Sequence, residues 1–208
     1  MEDKKLHILQ NAGKLYLKFG IRSVTMDDVA REFGISKKTL YTYFDGKENM
    51  VGQVIDFYLN KPDFNLSKKC PGNAIDHFFE IRKHVIRTLK YFNNNLEYDL
   101  KKLYPELYKK VHTFKRERIY SNTVKNFVDG VKEGLYRSEL DPVMVAKLQV
   151  GRMLYSLNPD NEVFSETELS SIELFDKIID YHMHAICTEK GIKYFKEQLN
   201  KIQNEENS

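Results

Sequence analysis

The chain has 208 residues, 41% of them hydrophobic and 30% charged, with a formal net charge of +3. That length can bury a core in one long domain or two small ones, and the composition is ordinary for a globular protein. The charge is too small to announce a nucleic-acid partner, so any such partner must be met by a local patch. Cys70 and Cys187 lie far apart without CxxC spacing. This argues against a disulfide framework and a cysteine zinc site, and for two free thiols in a reducing compartment. The start, Met1-Glu2-Asp3-Lys4-Lys5, leads into an amphipathic stretch with no signal-peptide core, and no apolar run approaches the length that spans a bilayer. A cytoplasmic location with no membrane partner is expected.

In chain order, nearly every segment shows apolar residues returning at three and four positions, the helical period. Leu9, Ala12, Tyr16 and Phe19 form one stripe, which Gly20 closes as a left-handed cap. Thr25-Met26-Asp27-Asp28 has the pattern of a capping box, and the short helix behind it ends at Gly34. Ser36 caps the next helix. Asp45 is expected to cap a fourth, with Glu48 at its third position, running over about 47–59 until Lys61-Pro62 stops it. The prolines, glycine and polar residues of 62–72 mark a boundary between a head, 1–61, and a larger body, 62–208. The body continues as helices over 74–93, 96–104 and a long stretch carrying Leu107 to Leu135. A helix opened by Asp141-Pro142 follows, then a last long one beginning near Glu166 and carrying Leu174 to Ile186. The expected fold is all-α: a three-helix head and a larger helical body.

Two short helices joined by Gly34-Ile35-Ser36 are the geometry of a helix-turn-helix. Val29, Ala30, Phe33, Ile35, Leu40 and Phe44 can lock them together. Lys37, Lys38, Thr39 and Thr42 then point outward where base edges lie in a major groove, while Tyr41, Tyr43 and Lys47 offer donors to phosphate oxygens. The helix starts at Thr25 and Gly46-Lys47 add amide donors for flanking phosphates. Because the first fifty residues hold nine Lys/Arg against seven Asp/Glu, affinity must come from where the charges sit.

The run Gly20-x-x-x-Val24-Thr25-x-x-Asp28-Val29-Ala30-x-x-Phe33-Gly34-Ile35-Ser36-x-x-Thr39-Leu40-Tyr41-x-Tyr43-Phe44-x-x-Lys47-Glu48 closely resembles the DNA-binding head of the TetR family of repressors. The resemblance covers about the first sixty residues and fades after the fourth helix. It implies an all-helical homodimer with a three-helix head, a connecting fourth helix and a ligand-responsive body. By matching position it assigns DNA contact to Thr25, Lys37, Lys38, Thr39, Tyr41, Thr42, Tyr43 and Lys47. Of these, Tyr41, Tyr43 and Lys47 would grip phosphates, and Lys37, Lys38 and Thr42 would read bases. The expected function is a ligand-responsive regulator, a repressor, binding a palindromic operator as a homodimer. The alternative is an all-helical ligand-binding or interaction protein that never touches DNA.

In the body, Phe78, Tyr91, Phe92, Tyr104, Tyr108, Phe114, Phe127 and Tyr155 are candidates to line a cavity for a small-molecule effector, although aromatic stripes at helical spacing are more often core. By the resemblance, the last two long helices pair with those of a second subunit as a four-helix bundle, with Met153, Leu157, Phe175, Ile178, His182 and Ile186 at that interface. An effector in the body would swing the fourth helix and change the spacing of the two heads. His77, Glu80 and His84 fall on one helix face at metal-ligand spacing, yet that face lies opposite the apolar stripe and reads as solvated; no metal or cofactor is expected. No Ser-His-Asp order, glycine-rich phosphate loop or HExxH motif is present, so no enzyme is expected.

Overall fold

The computed structural model describes residues 2–60, 72–89 and 95–206. Among them the fold is all helical: α1 Glu2–Phe19, α2 Met26–Glu32, α3 Lys37–Tyr41, α4 Lys47–Leu59, α5 Ala74–Leu89, α6 Asn95–Leu103 and α7 Pro105–Lys132 come first. Then follow α8 Pro142–Gly151, α9 Glu166–Leu169, α10 Ile172–Ile186 and α11 Glu189–Glu206. No described helix is long and apolar enough to cross a membrane. The chain divides into two compact units: Met1–Asn65 with Lys90–Lys115, and Leu66–Leu89 with Arg116–Ser208.

The first unit is built on α1 and α4, which pack together. Ile8, Leu9, Ala12 and Tyr16 of α1 are buried with Val29, Ala30, Leu40, Phe44, Met50, Val51 and Val54. Phe19, expected on that stripe, is instead exposed, with the Lys18 ammonium 5.0 Å from its ring centre. The α2–α3 turn has a physical cause in Gly34. Its φ of 59° lies where side chains are strained, and it lets Ile35 N–H reach Ala30 O at 3.0 Å and Gly34 N–H reach Arg31 O at 3.1 Å. These two bonds satisfy carbonyls that the end of α2 would otherwise leave bare. Leu100 of α6 is buried in the same core, and Tyr104, Leu107 and Tyr108 pack against it.

The second unit centres on α5, α10 and the later part of α7. Ile75, Phe78, Phe79, Phe127, Tyr136, Ile179, Met183 and Phe195 form its core. Phe79 stacks on Phe195 and Phe127 on Tyr136. Asp141 caps α8, accepting from Val143 N–H at 3.0 Å and Met144 N–H at 3.3 Å, with Pro142 at the first helical position, as the sequence predicts. The helix then loosens into a π-helical turn over Arg152–Ser156. The single helix expected from Glu166 to Ile186 is broken by Ser170-Ser171 between α9 and α10, and a further helix, α11, follows Cys187-Thr188. Cys187 pairs with Tyr136 as an isolated antiparallel bridge, and Thr188 N–H donates to Leu135 O at 2.9 Å. A clasp therefore joins the end of α7 to the α10–α11 corner. Gly191 makes it possible, because a Cβ there would stand 2.1 Å from Leu135 O. Burial pushes the Cys187 thiol up to about 12, so it packs as a small apolar group.

Candidate nucleic-acid interface

The helix-turn-helix is anchored from below and open above. Leu40 is the one fully buried side chain of α3, and Lys37, Lys38, Tyr41 and Thr42 are exposed around it. Ser36 caps α3 by accepting from Thr39 N–H at 3.0 Å, and the Ser36 and Thr39 hydroxyls lie 2.8 Å apart. Thr39 is accordingly half-buried. Tyr43 is half-buried too, its ring against Phe44 and the first core. Thr42 donates its hydroxyl to Thr39 O at 2.6 Å, which leaves its methyl and hydroxyl oxygen facing outward.

The charged groups have partners at the surface. Lys37 pairs with Asp27 of α2 at 2.9 Å, both side chains more than half exposed, and this carboxylate raises the lysine's affinity for its proton. Thr25 and Asp28 form the reciprocal capping box read from the sequence: Asp28 N–H donates to Thr25 Oγ1 at 3.1 Å and Thr25 N–H to Asp28 Oδ2 at 3.0 Å. Those hydrogen bonds from Thr25 hold the Asp28 carboxyl below its ordinary range.

The start of α4 differs from expectation. Gly46, not Asp45, is its cap, at a φ of 135°, and no side chain caps its amides. A glycine there lets the chain turn in a conformation Asp45 would resist, so the first amides of α4 stay open while those of α2 are occupied. Lys47 donates to Arg22 O at 3.2 Å, and partial burial lowers its affinity for a proton, against the pull of Asp99 and Asp28.

The body residues singled out in sequence are scattered. Phe78 and Phe127 lie in the second core, whereas Tyr104 and Tyr108 pack on the first and Phe114 also belongs to the first unit. Tyr155 is exposed, and Tyr91 and Phe92 fall outside the described residues. Phe78, Phe79, Phe175, Phe195 and the Arg82–Asp176 ion pair line a recess with room for about one water molecule. Ile178, His182 and Ile186 are buried within the subunit, Met153 and Phe175 pack on its core, and Leu157 is half-buried. The exposed apolar side chains of α8, the π-helical turn and α10 are others: Val143 (39% exposed), Met144 (53%), Leu148 (66%), Tyr155 (62%) and Tyr181 (70%). His77 lies 3.3 Å from Asn126, and Glu80 pairs with Lys83 at 2.7 Å, while the His84 side chain is outside the described part. Among the described residues no three His, Cys, Asp or Glu side chains converge as a metal site.

A two-helix reader held by Leu40, with exposed lysines and hydroxyls along its outer edge, defines a helix-turn-helix DNA-binding transcriptional regulator. Residues 8–54 match the model of the bacterial regulatory proteins of the tetR family. The HTH-type transcriptional regulator YhgD of Bacillus subtilis is 26% identical over 186 residues, 83% of this chain and 94% of that protein. The HTH-type transcriptional repressor KstR2 of Rhodococcus jostii is 25% identical over 146 residues, 66% of this chain and 70% of its own. Among solved structures, a transcriptional regulator of Cytophaga hutchinsonii superposes with a TM-score of 0.69 at 18% identity, covering 87% of this chain and 97% of that one. A regulator of Saccharomonospora viridis in complex with choline superposes at 0.68 with 16% identity, over 91% of this chain and all of that one. Over residues 8–54 the chain is thus similar to the tetR family of bacterial regulatory proteins, and the relatives that match more of its length are HTH-type transcriptional regulators.

Proposed function

We propose that the protein is a cytoplasmic repressor that grips a palindromic operator as a homodimer and lets go when a small molecule enters its body. In this reading residues 1–61 form the DNA-binding head and 62–208 the effector-binding and dimerising body. Lys37, Lys38 and Thr42 read bases, Tyr41, Tyr43 and Lys47 hold phosphates, and Thr25 and Thr39 flank them. The observation that carries the dimer is the exposed band of Met144, Leu148, Tyr155 and Tyr181, large apolar side chains that a helix pair facing only water has no reason to display. Two copies joined there would bring two heads to half-sites about 34 Å apart, one helical turn of DNA.

The repressor named among the relatives and the choline held by a solved neighbour support repression and a small-molecule effector as classes. The aromatic recess around Phe78 and Phe175 is the effector's entrance in this reading. Since it has room for only about one water, an effector must shift those rings and so select a minority state of the body. It releases DNA by favouring that state over the one whose head spacing fits the operator.

The test is Leu148→Asp. Sedimentation should show the wild type as a dimer and the variant as a folded monomer. Binding to a two-half-site duplex from the neighbouring intergenic DNA should weaken in the variant while single-head binding persists. A wild type that sediments as a monomer, or a variant that still dimerises and binds as tightly, would sink this reading.

A further inference from the structure

Asp99 is a buried carboxylate that the DNA-contact assignment does not use. It sits in α6, 6% exposed, beside Leu100, which is buried in the first core. Its Oδ2 accepts the backbone N–H of Arg22 at 2.9 Å. Arg22 lies in the turn between α1 and α2, and its own carbonyl accepts the Lys47 ammonium at 3.2 Å. Asp99, one peptide unit and Lys47 therefore form a chain from α6 to the first residue of α4. Tyr104, just beyond α6, packs on the same core, and burial and then the Glu48 and Asp99 carboxylates raise its hydroxyl's affinity for its proton.

We infer that Asp99 is a positioning residue for DNA binding: through the Arg22 peptide it fixes where the Lys47 ammonium meets a phosphate. This rests on the phosphate role of Lys47 proposed above. An ammonium has three donors. With one anchored on Arg22 O, the remaining two are aimed from a set point beside the uncapped amides of α4, and a phosphate can take both. Without the anchor, a lysine on a four-carbon stem must lose its rotamer freedom when DNA arrives, which weakens the contact. Arg22 is itself exposed, so the carboxylate of Asp99 is what ties its peptide to the first core. The carboxylate also suits its place: the partly buried ammonium has lost water, and Asp99 is one of the two charges that compensate it.

A double-mutant cycle on the full-length protein tests the chain, read by fluorescence anisotropy with a mixed-sequence DNA duplex over a salt series. Lys47→Ala should weaken binding about tenfold and lower the slope of log K against log salt by ~0.9, one phosphate. Asp99→Ala should do nearly the same, and adding it to Lys47→Ala should change neither quantity further. Asp99→Asn keeps an acceptor for the Arg22 N–H and should restore affinity to within about threefold of wild type. In the free protein, the Arg22 amide should exchange quickly in Asp99→Ala and stay protected in Asp99→Asn. Losses that add in the double variant with the salt slope unchanged, together with a lowered melting temperature, would make Asp99 a support of the fold and overturn the inference. If Lys47→Ala alone leaves affinity and slope intact, the phosphate role of Lys47 fails first and this inference falls with it.

Discussion

The groups assigned to DNA in the first unit and the central polar groups of the second are held in opposite ways. In the first, the groups assigned to DNA hold exposed partners that another acceptor can replace: Lys37 on Asp27, Lys47 on a carbonyl, Thr42 on its own helix. In the second, the central polar groups are largely buried. Arg82 makes a two-pronged pair with Asp176 at 2.8 and 3.0 Å, and Asn126 donates to Ala74 O at 2.8 Å while accepting from the Tyr136 hydroxyl at 3.1 Å. His182 is 4% exposed and its Nε2 has no hydrogen-bond partner among the described residues. Exposed pairs cost little to exchange, whereas buried ones cost much to break. The head is thus built for trading partners, and the body for keeping them.

Four experiments bear on that contrast, beginning where the largest effect is expected. Arg82→Ala removes the buried guanidinium paired with Asp176, whose carboxylate keeps 29% exposure, and should lower stability by about 2 kcal/mol in a denaturant melt. A loss under about 1 kcal/mol would place this pair with ordinary surface pairs. Next comes pH. Burial, and then the Arg152 guanidinium, push His182 down to about 3 from an ordinary 6.5. Between those values the unfolded chain binds a proton that the folded chain refuses, so stability should be intact above pH 6.5. Below it, stability should fall by up to ~1.4 kcal/mol per unit. His182→Leu should flatten that slope, and an unchanged slope would assign it to other groups.

In the head the effects shrink. Thr42→Val should cost about 1 kcal/mol against the preferred duplex and leave mixed-sequence binding nearly unchanged, a difference visible in competition titrations. Equal losses on both would remove Thr42 from the sequence readers. Last, Asp27→Asn releases Lys37, and should raise low-salt affinity for mixed DNA a few-fold with no measurable change in melting temperature. A clear drop in melting temperature would show that this pair is structural, and the contrast between the units would weaken.

The head was legible because its signals are local. The Thr25–Asp28 box, the left-handed Gly20 and the Ser36 cap each rest on a few neighbouring residues, and all three stand in the structure as the spacing implies. Asp45 misled because it has the right chemistry for a cap, while the chain's need for a positive φ shifted the boundary to Gly46. Asp99 was invisible for another reason: it meets Arg22 across 77 residues, and no periodicity reports a contact that distant.

In the body, the apolar period of α10 is real, but a stripe does not say what it faces. Ile178, His182 and Ile186 turn inward, and Tyr181, one step off that stripe, turns out. The break before α11 was hidden because Cys187 and Thr188 continue an apolar-polar pattern that a helix could also carry. Only the partner strand of backbone at 134–137 reveals why the helix stops there.

That clasp has a kinetic consequence. Thr188 and Leu135 are 53 residues apart, and closing a loop of that length costs chain entropy before any contact rewards it. The helices on either side form from neighbouring residues and carry no such delay, so in the folding chain the clasp belongs among the last contacts to close. Until then α11, with Phe195 not yet seated against Phe79, leaves the second core uncovered. A chain refolding from denaturant therefore keeps the Phe79 side of its second core open to association with other chains for longest.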